Sequence, residues 1–146
     1  MEDLGRGPIG LDTAVFIYYI EEHPRFLDIV APIFLAMDEG RFQAVTSALT
    51  LLETLVVPYR AANLGLADRY EILLTQSRGL RLIELDRPLL RFAAQLRATF
   101  RVKTPDALQL SAAMTAGCKV FLTHDRDLPS LRGIEVLQIG RYLEKA

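Results

Sequence analysis

The chain has few of the residues that tie small proteins together by covalent or metal bonds. Among 146 residues there is one cysteine, Cys118, with two histidines and no tryptophan. A single thiol closes no internal disulfide and builds no thiolate zinc site, so folding must rest on a packed core. Cys118 itself is expected to be a plain buried residue. His23 beside Pro24 and His124 beside Asp125 are too isolated for a two-histidine metal site, and exposed loop positions are expected for both. Net charge is scarce as well. The formal value of −1 excludes a protein that coats nucleic acid through bulk positive charge, because such binders gain affinity by releasing many counterions. It leaves room for a local basic rim around one phosphate. Long apolar runs are also missing: uncharged stretches such as Ala107 to Cys118 are too short to cross a bilayer. The Met-Glu-Asp start lacks the basic residues and apolar run of a secretory signal. The expectation is a cytoplasmic protein with no membrane association.

What is present is an ordinary globular composition, 51% hydrophobic and 24% charged, in a chain long enough to bury roughly two-thirds of its surface. No repeat, low-complexity tract or linker divides it, so residues 1–146 are expected to form one domain. Apolar runs and helical stripes alternate along it. Ile9 to Asp12 reads as a strand passing quickly into a helix. Ile29, Val30, Ile33, Phe34 and Met37 recur at three- and four-residue intervals in a second helix that Gly40 ends, with Pro32 expected to kink or split it. Phe42 to Thr46 reads as a strand, Ser47 as the cap of the helix carrying Glu53, and Leu66 to Leu74 as one face of another helix. Leu80 to Leu85 is a third strand, followed by Asp86 as a cap and a helix with Leu89, Leu90, Ala93, Leu96 and Phe100 on one side. Thr104-Pro105-Asp106 supplies a cap, a proline at the first helical position and an acid in the first turn. Lys119 to Thr123 and Ile134 to Leu137 are the last strands, before a short terminal helix. This alternation implies an α/β fold with a parallel sheet covered by helices on both faces, in which ligands bind outside the carboxyl ends of the strands.

Four acids stand where acids are costly. Asp12 is the only charged residue between Gly7 and Ile20, and Glu53 the only one between Phe42 and Tyr59. Asp106 opens a helix whose next residues, Ala107 to Cys118, carry no charge, and Asp125 follows closely on the apolar Val120-Phe121-Leu122. Removing an ionised carboxylate from water costs several kcal/mol in order of magnitude unless it is paired or binds a metal. No lysine or arginine lies near Asp12 or Glu53 in these segments, and a hard ion such as Mg²⁺ or Mn²⁺ takes oxygen ligands. Each acid also has a plainer reading: a turn for Asp12, an outward-facing helix position for Glu53, a helix-dipole partner for Asp106, a loop cap for Asp125. For Glu53, the neighbours Leu49, Leu52, Val56 and Val57 suggest an apolar setting. Asp127 is a surface or additional metal-site acid. Thr13, Ser47 and Thr123 adjoin strand ends and can hydrogen-bond the carboxylates, and Arg101, Lys103 and Arg126 flank two of the acids and can hold a phosphate backbone.

The segments Ile9-Gly10-Leu11-Asp12-Thr13, Ser47-Ala48-Leu49-Thr50-Leu51-Leu52-Glu53, Thr104-Pro105-Asp106-Ala107 and Phe121-Leu122-Thr123-His124-Asp125-Arg126-Asp127-Leu128 resemble, in order and spacing, the four motifs of PIN domains. Leu128 stands where an aromatic residue is more typical, and His124 where a small or amide residue is. The resemblance implies a three-layer α/β/α sandwich, Mg²⁺- or Mn²⁺-dependent cleavage of RNA phosphodiesters, and frequent homodimers. It further implies that Asp12, Asp106 and Asp125 ligate the metal while Glu53 completes the shell or orients water. Short members are often VapC-like toxins held by a small antitoxin protein. Two other classes stand beside this reading. A phosphoacceptor signalling domain would need an acidic pair after the first strand and an acceptor Asp after the third, where Asp86 reads as a cap. A PIN-like scaffold would bind RNA or protein without cutting.

Overall fold

The computed structural model describes residues 7–145; the Met-Glu-Asp start lies outside them. In chain order the elements are β1 (Ile9–Leu11), α1 (Thr13–Ile20), α2 (Leu27–Asp38), β2 (Ala44–Ser47), α3 (Leu49–Arg60), α4 (Leu64–Gln76), β3 (Leu80–Ile83), α5 (Arg87–Thr99), α6 (Thr104–Thr115), β4 (Val120–Thr123), β5 (Glu135–Gln138) and a 3₁₀ segment, Ile139–Lys145. The strands form one sheet in the order β3-β2-β1-β4-β5, and every pairing is parallel.

Alternate strand residues feed opposite layers, as the two-residue period of a strand requires. Ile9, Leu11, Ala44, Leu122 and Leu137 face α1, α2 and α4, packing with Val15, Phe16, Val30, Ile33, Phe34 and Leu74. Val45 and Phe121 face the other way, onto Leu89, Ala93 and Leu96 of α5 and Leu110 and Ala113 of α6. Sheet residues buried on both sides explain why the strands read as continuous apolar runs. Gly10 is where α6 crosses closest: a Cβ there would lie 2.7 Å from Phe121 Cδ1 and 2.8 Å from Ala113 Cβ. The three-layer α/β/α sandwich expected from the sequence is the observed fold.

Several boundaries differ from the sequence reading. The strands expected at Phe42 to Thr46, Leu80 to Leu85 and Ile134 to Leu137 are Ala44–Ser47, Leu80–Ile83 and Glu135–Gln138. Pro32 does not split α2. It lies on the exposed side, with Asp28, whose carbonyl its missing N–H would have met, also exposed, so the lost bond falls on the solvent face while the buried stripe holds the helix together. The cap of α6 is Lys103 rather than Thr104, whose hydroxyl instead accepts a hydrogen bond from Arg97 Nη1 at 2.8 Å. Ser47 lies one residue before the Ala48 cap of α3, although its Oγ still accepts from the Leu49 amide at 3.3 Å. Leu90, expected on the buried side of α5, is 46% exposed, and Phe100 ends the helix as its C-cap. Asp86 caps α5 as expected, accepting from the Leu89 amide at 3.0 Å, and Cys118 is buried with its thiol pushed up to about 12 by desolvation.

Candidate active site

Strand order reverses between β1 and β4, because β2 and β3 extend the sheet on one side and β5 on the other. Ligand crevices of open α/β sheets form at such a switch point, outside the strands' carboxyl ends. Asp12 occupies it. Its backbone amide continues the β1–β4 pairing by donating to Leu122 O at 3.0 Å, and its side chain caps α1, with Oδ1 accepting from the Thr13 amide at 2.8 Å. The other oxygen, Oδ2, accepts from Thr123 Oγ1 at 2.6 Å, and that same hydroxyl accepts the Asp125 amide at 3.0 Å. Thr123 thus fixes Asp12 and the start of the Asp125 loop relative to each other.

Electrostatics bind three of the acids into a set. Burial raises the Asp12 carboxyl above its ordinary range; the Thr123 and Thr13 hydrogen bonds work against this, and the Asp125 charge adds to it. Asp106, in the first turn of α6, is pushed up to about 6, chiefly by desolvation and then by the charges of Asp125 and Asp12 and a hydrogen bond with Asp125. Lys103 acts in the opposite direction. Among the described residues the one ion pair is Arg41–Glu39 at 2.7 Å on the surface, so none of the four acids is neutralised by a lysine or arginine.

A small cleft of about 90 Å³ joins Asp106, Asp125 and Asp127 to Arg101, Lys103 and Leu128. Asp127 is exposed, and its amide donates to Asp125 Oδ1 at 2.9 Å. Arg101 and Lys103 are exposed on the rim, whereas Arg126, also exposed, is not among the residues lining the cleft.

Glu53 reaches the site differently from the expected apolar setting. Leu52 is 60% and Val57 65% exposed, so that part of α3 faces outward. Glu53 is half-buried and accepts from Thr13 Oγ1 at 2.6 Å. Thr13 therefore bridges Asp12, through its amide, and Glu53, through its hydroxyl. Beneath them lies a polar layer that sequence reasoning missed: Thr46, Thr50 and Gln109, all buried and hydrogen-bonded to one another. The available signal was spacing, since Gln109 lies one turn after Asp106 and Thr50 one turn before Glu53, on the same helical faces.

The histidines also differ from expectation, for both are half-buried in an aromatic cluster. His23 Nδ1 accepts from the amides of Arg25 and Phe26, at 3.1 and 3.3 Å. His124 packs edge-on against Tyr18 and Phe26, with ring centroids 5.5 and 5.3 Å away, and the flat stacking of Tyr18 on Phe26 provides the surface for it. Burial, followed by the Asp12 charge, raises the Tyr18 hydroxyl.

Among the described residues, no three carboxylates, imidazoles or thiols surround one point as ready metal ligands. The donor set itself is all oxygen, carries repelling charge and, among the described residues, forms no ion pair, which suits a hard divalent cation in chemistry. These features define a three-layer α/β protein with an acid at the switch point of a parallel sheet and an acidic cleft, rimmed by Arg101 and Lys103, close by. The chain belongs to the PIN domain family, whose model matches residues 9–134.

Solved structures agree in fold. The chain is similar to VapBC2 from Rickettsia felis bound to a DNA fragment from its promoter (TM-score 0.67, 16% identity, 90% of this chain and 98% of that one covered). It is also similar to a toxin–antitoxin complex from Klebsiella pneumoniae (0.65, 16%, 90% and 97%) and to DNA-bound VapBC from Salmonella typhimurium (0.61, 21%, 91% and 98%). No curated protein matches the sequence. Among the described residues no helix is long and apolar enough to cross a membrane.

Proposed function

We propose that this protein is a metal-dependent endoribonuclease and the toxin of a toxin–antitoxin pair, acting in the cytoplasm on RNA. The observation that carries the reading is that Asp12 and Asp106, both raised chiefly by burial and further by the Asp125 charge, form no ion pair among the described residues. Membership of the PIN domain family supports the nuclease reading, and the toxin–antitoxin complexes among the structural neighbours support a small antitoxin as partner. A second copy of the chain is proposed as a further partner, supported by the exposed apolar Leu52, Val57, Tyr59 and Leu64 on α3 and at the start of α4.

In this mechanism Asp12, Asp106 and Asp125 would hold Mg²⁺ or Mn²⁺, with Asp127 as a further candidate ligand. When bound, a divalent ion makes water more acidic and neutralises charge building on phosphate oxygens. Thr123 fixes the Asp12 carboxylate through Oδ2. Glu53, held by Thr13, orients the attacking water, and Arg101 and Lys103 hold the RNA backbone from the rim while Arg126 contacts it further out. The test is incubation of the purified protein with single-stranded and structured RNAs, in EDTA and then with Mn²⁺. Cleavage is expected only with Mn²⁺, and Asp12→Asn or Asp106→Asn should abolish it. RNA binding without cleavage after Mn²⁺ is supplied would overturn the nuclease reading in favour of a scaffold.

A further inference from the structure

Gln109 is 3% exposed, yet its carboxamide meets four polar partners drawn from three other elements or their ends. Its Oε1 accepts from the Ser47 backbone amide at 3.3 Å, and Thr46 Oγ1 lies 3.4 Å from the same oxygen. Its Nε2 donates to Thr50 Oγ1 at 2.8 Å and to Thr13 Oγ1 at 3.3 Å. A backbone N–H can only donate, so Ser47 fixes which end of the amide is oxygen, and the two N–H groups must then face the threonines.

The remaining protons follow from that orientation. Thr46 has one hydroxyl proton, and its best acceptor is Leu11 O at 2.9 Å. With the Thr46 proton committed to Leu11 O, the 2.7 Å contact between Thr50 and Thr46 is filled by the Thr50 proton. A carboxylate only accepts, so the Thr13 proton goes to Glu53 Oε1 at 2.6 Å while the Gln109 N–H occupies a lone pair of the same Thr13 oxygen. The hydroxyl that makes the short Thr13–Glu53 bond is therefore held from its other side by the Gln109 amide. Gln109 also ties α6, which carries Asp106, to the start of α1, to the end of β2 and to α3, which carries Glu53.

We propose that Gln109 is a positioning residue that, by donating to Thr13 and Thr50, aims the Thr13 hydroxyl at Glu53 and holds that carboxylate beside Asp12. This deepens the nuclease reading and rests on it for its catalytic consequence. Partners of this kind, one step removed from the groups they orient, change activity or metal affinity by about 10- to 100-fold when lost.

The test compares Gln109→Met, which keeps volume but removes the donors, with Gln109→Glu, which puts an acceptor where the N–H groups stood. In the wild type, NMR should find the Thr13 hydroxyl proton protected from exchange and close to the Glu53 side chain. In Gln109→Glu the proton should turn to the new carboxylate, and in Gln109→Met it should lose protection. In both, kcat should fall by about 10-fold with KM nearly unchanged, and adding Thr13→Val to Gln109→Met should cost little more, because both act through the same bond. Should Gln109→Glu fail to fold, Gln109→Met carries the comparison. A folded Gln109→Met with an intact Thr13–Glu53 contact would overturn the proposal. Absence of cleavage by the wild type would overturn the nuclease reading instead, while the NMR comparison would still decide what Gln109 does.

Discussion

The crevice has two sides that handle buried polarity in opposite ways. On the α3 side, Thr13, Thr46, Thr50 and Gln109 are buried and each has hydrogen-bond partners within the chain. On the β4 side, Asp12, Asp106 and Asp125 bring like charges together, and burial raises two of them with no ion pair among the described residues to offset it. A satisfied network gains stability and fixes geometry, whereas clustered carboxylates cost stability until a cation or protons relieve them. The contrast sets a fully hydrogen-bonded layer beneath carboxylates that repel one another.

Substitutions that remove a polar group should therefore act with opposite signs on the two sides. Thr50→Val leaves a Gln109 N–H and the Thr46 oxygen without their shared partner, and unfolding by urea should show a loss of about 1–3 kcal/mol. Asp106→Asn should instead stabilise the protein at pH 8 in EDTA. Its raised value implies a charge penalty, and because the group is partly exposed, solvent screening reduces the expected gain to about 1 kcal/mol. Loss of stability in Asp106→Asn would break the comparison.

The same imbalance predicts a smaller effect of pH on the metal-free wild type. The folded chain keeps the Asp106 proton up to about 6, while the unfolded chain releases it near 3.8. Between these values the folded state binds more protons, so this group favours folding most below the lower value, and that contribution is lost as pH rises toward 6. Melting temperatures in EDTA, compared between wild type and Asp106→Asn, should diverge across that window in favour of the variant. Parallel curves would contradict the shift.

Much of this was legible in the sequence because charge is rare where it matters. Asp12, Glu53, Asp106 and Asp125 each interrupt or border an uncharged segment, and the alternation of apolar runs with helical stripes pointed to the parallel sandwich. Gln109 and Thr50 carried no comparable signal, since an amide or hydroxyl in an apolar helix is unremarkable until its partner is known, and these two lie 59 residues apart in the chain. The setting of Glu53 was misjudged because the outward exposure of Leu52 and Val57 depends on how α3 sits against its neighbours, which helical spacing does not reveal. The histidines were misplaced for a related reason: their burial comes from Tyr18 and Phe26, brought in by α1 and the approach to α2.

Calorimetric titration of Mn²⁺ into the wild type, Asp12→Asn and Asp106→Asn probes the acidic side without requiring turnover. Saturable binding to the wild type, with a rise in melting temperature that grows with free Mn²⁺ and weakens or vanishes in both variants, is the predicted result. Equal binding by all three proteins, or none by the wild type, would contradict the assignment of these carboxylates to a cation.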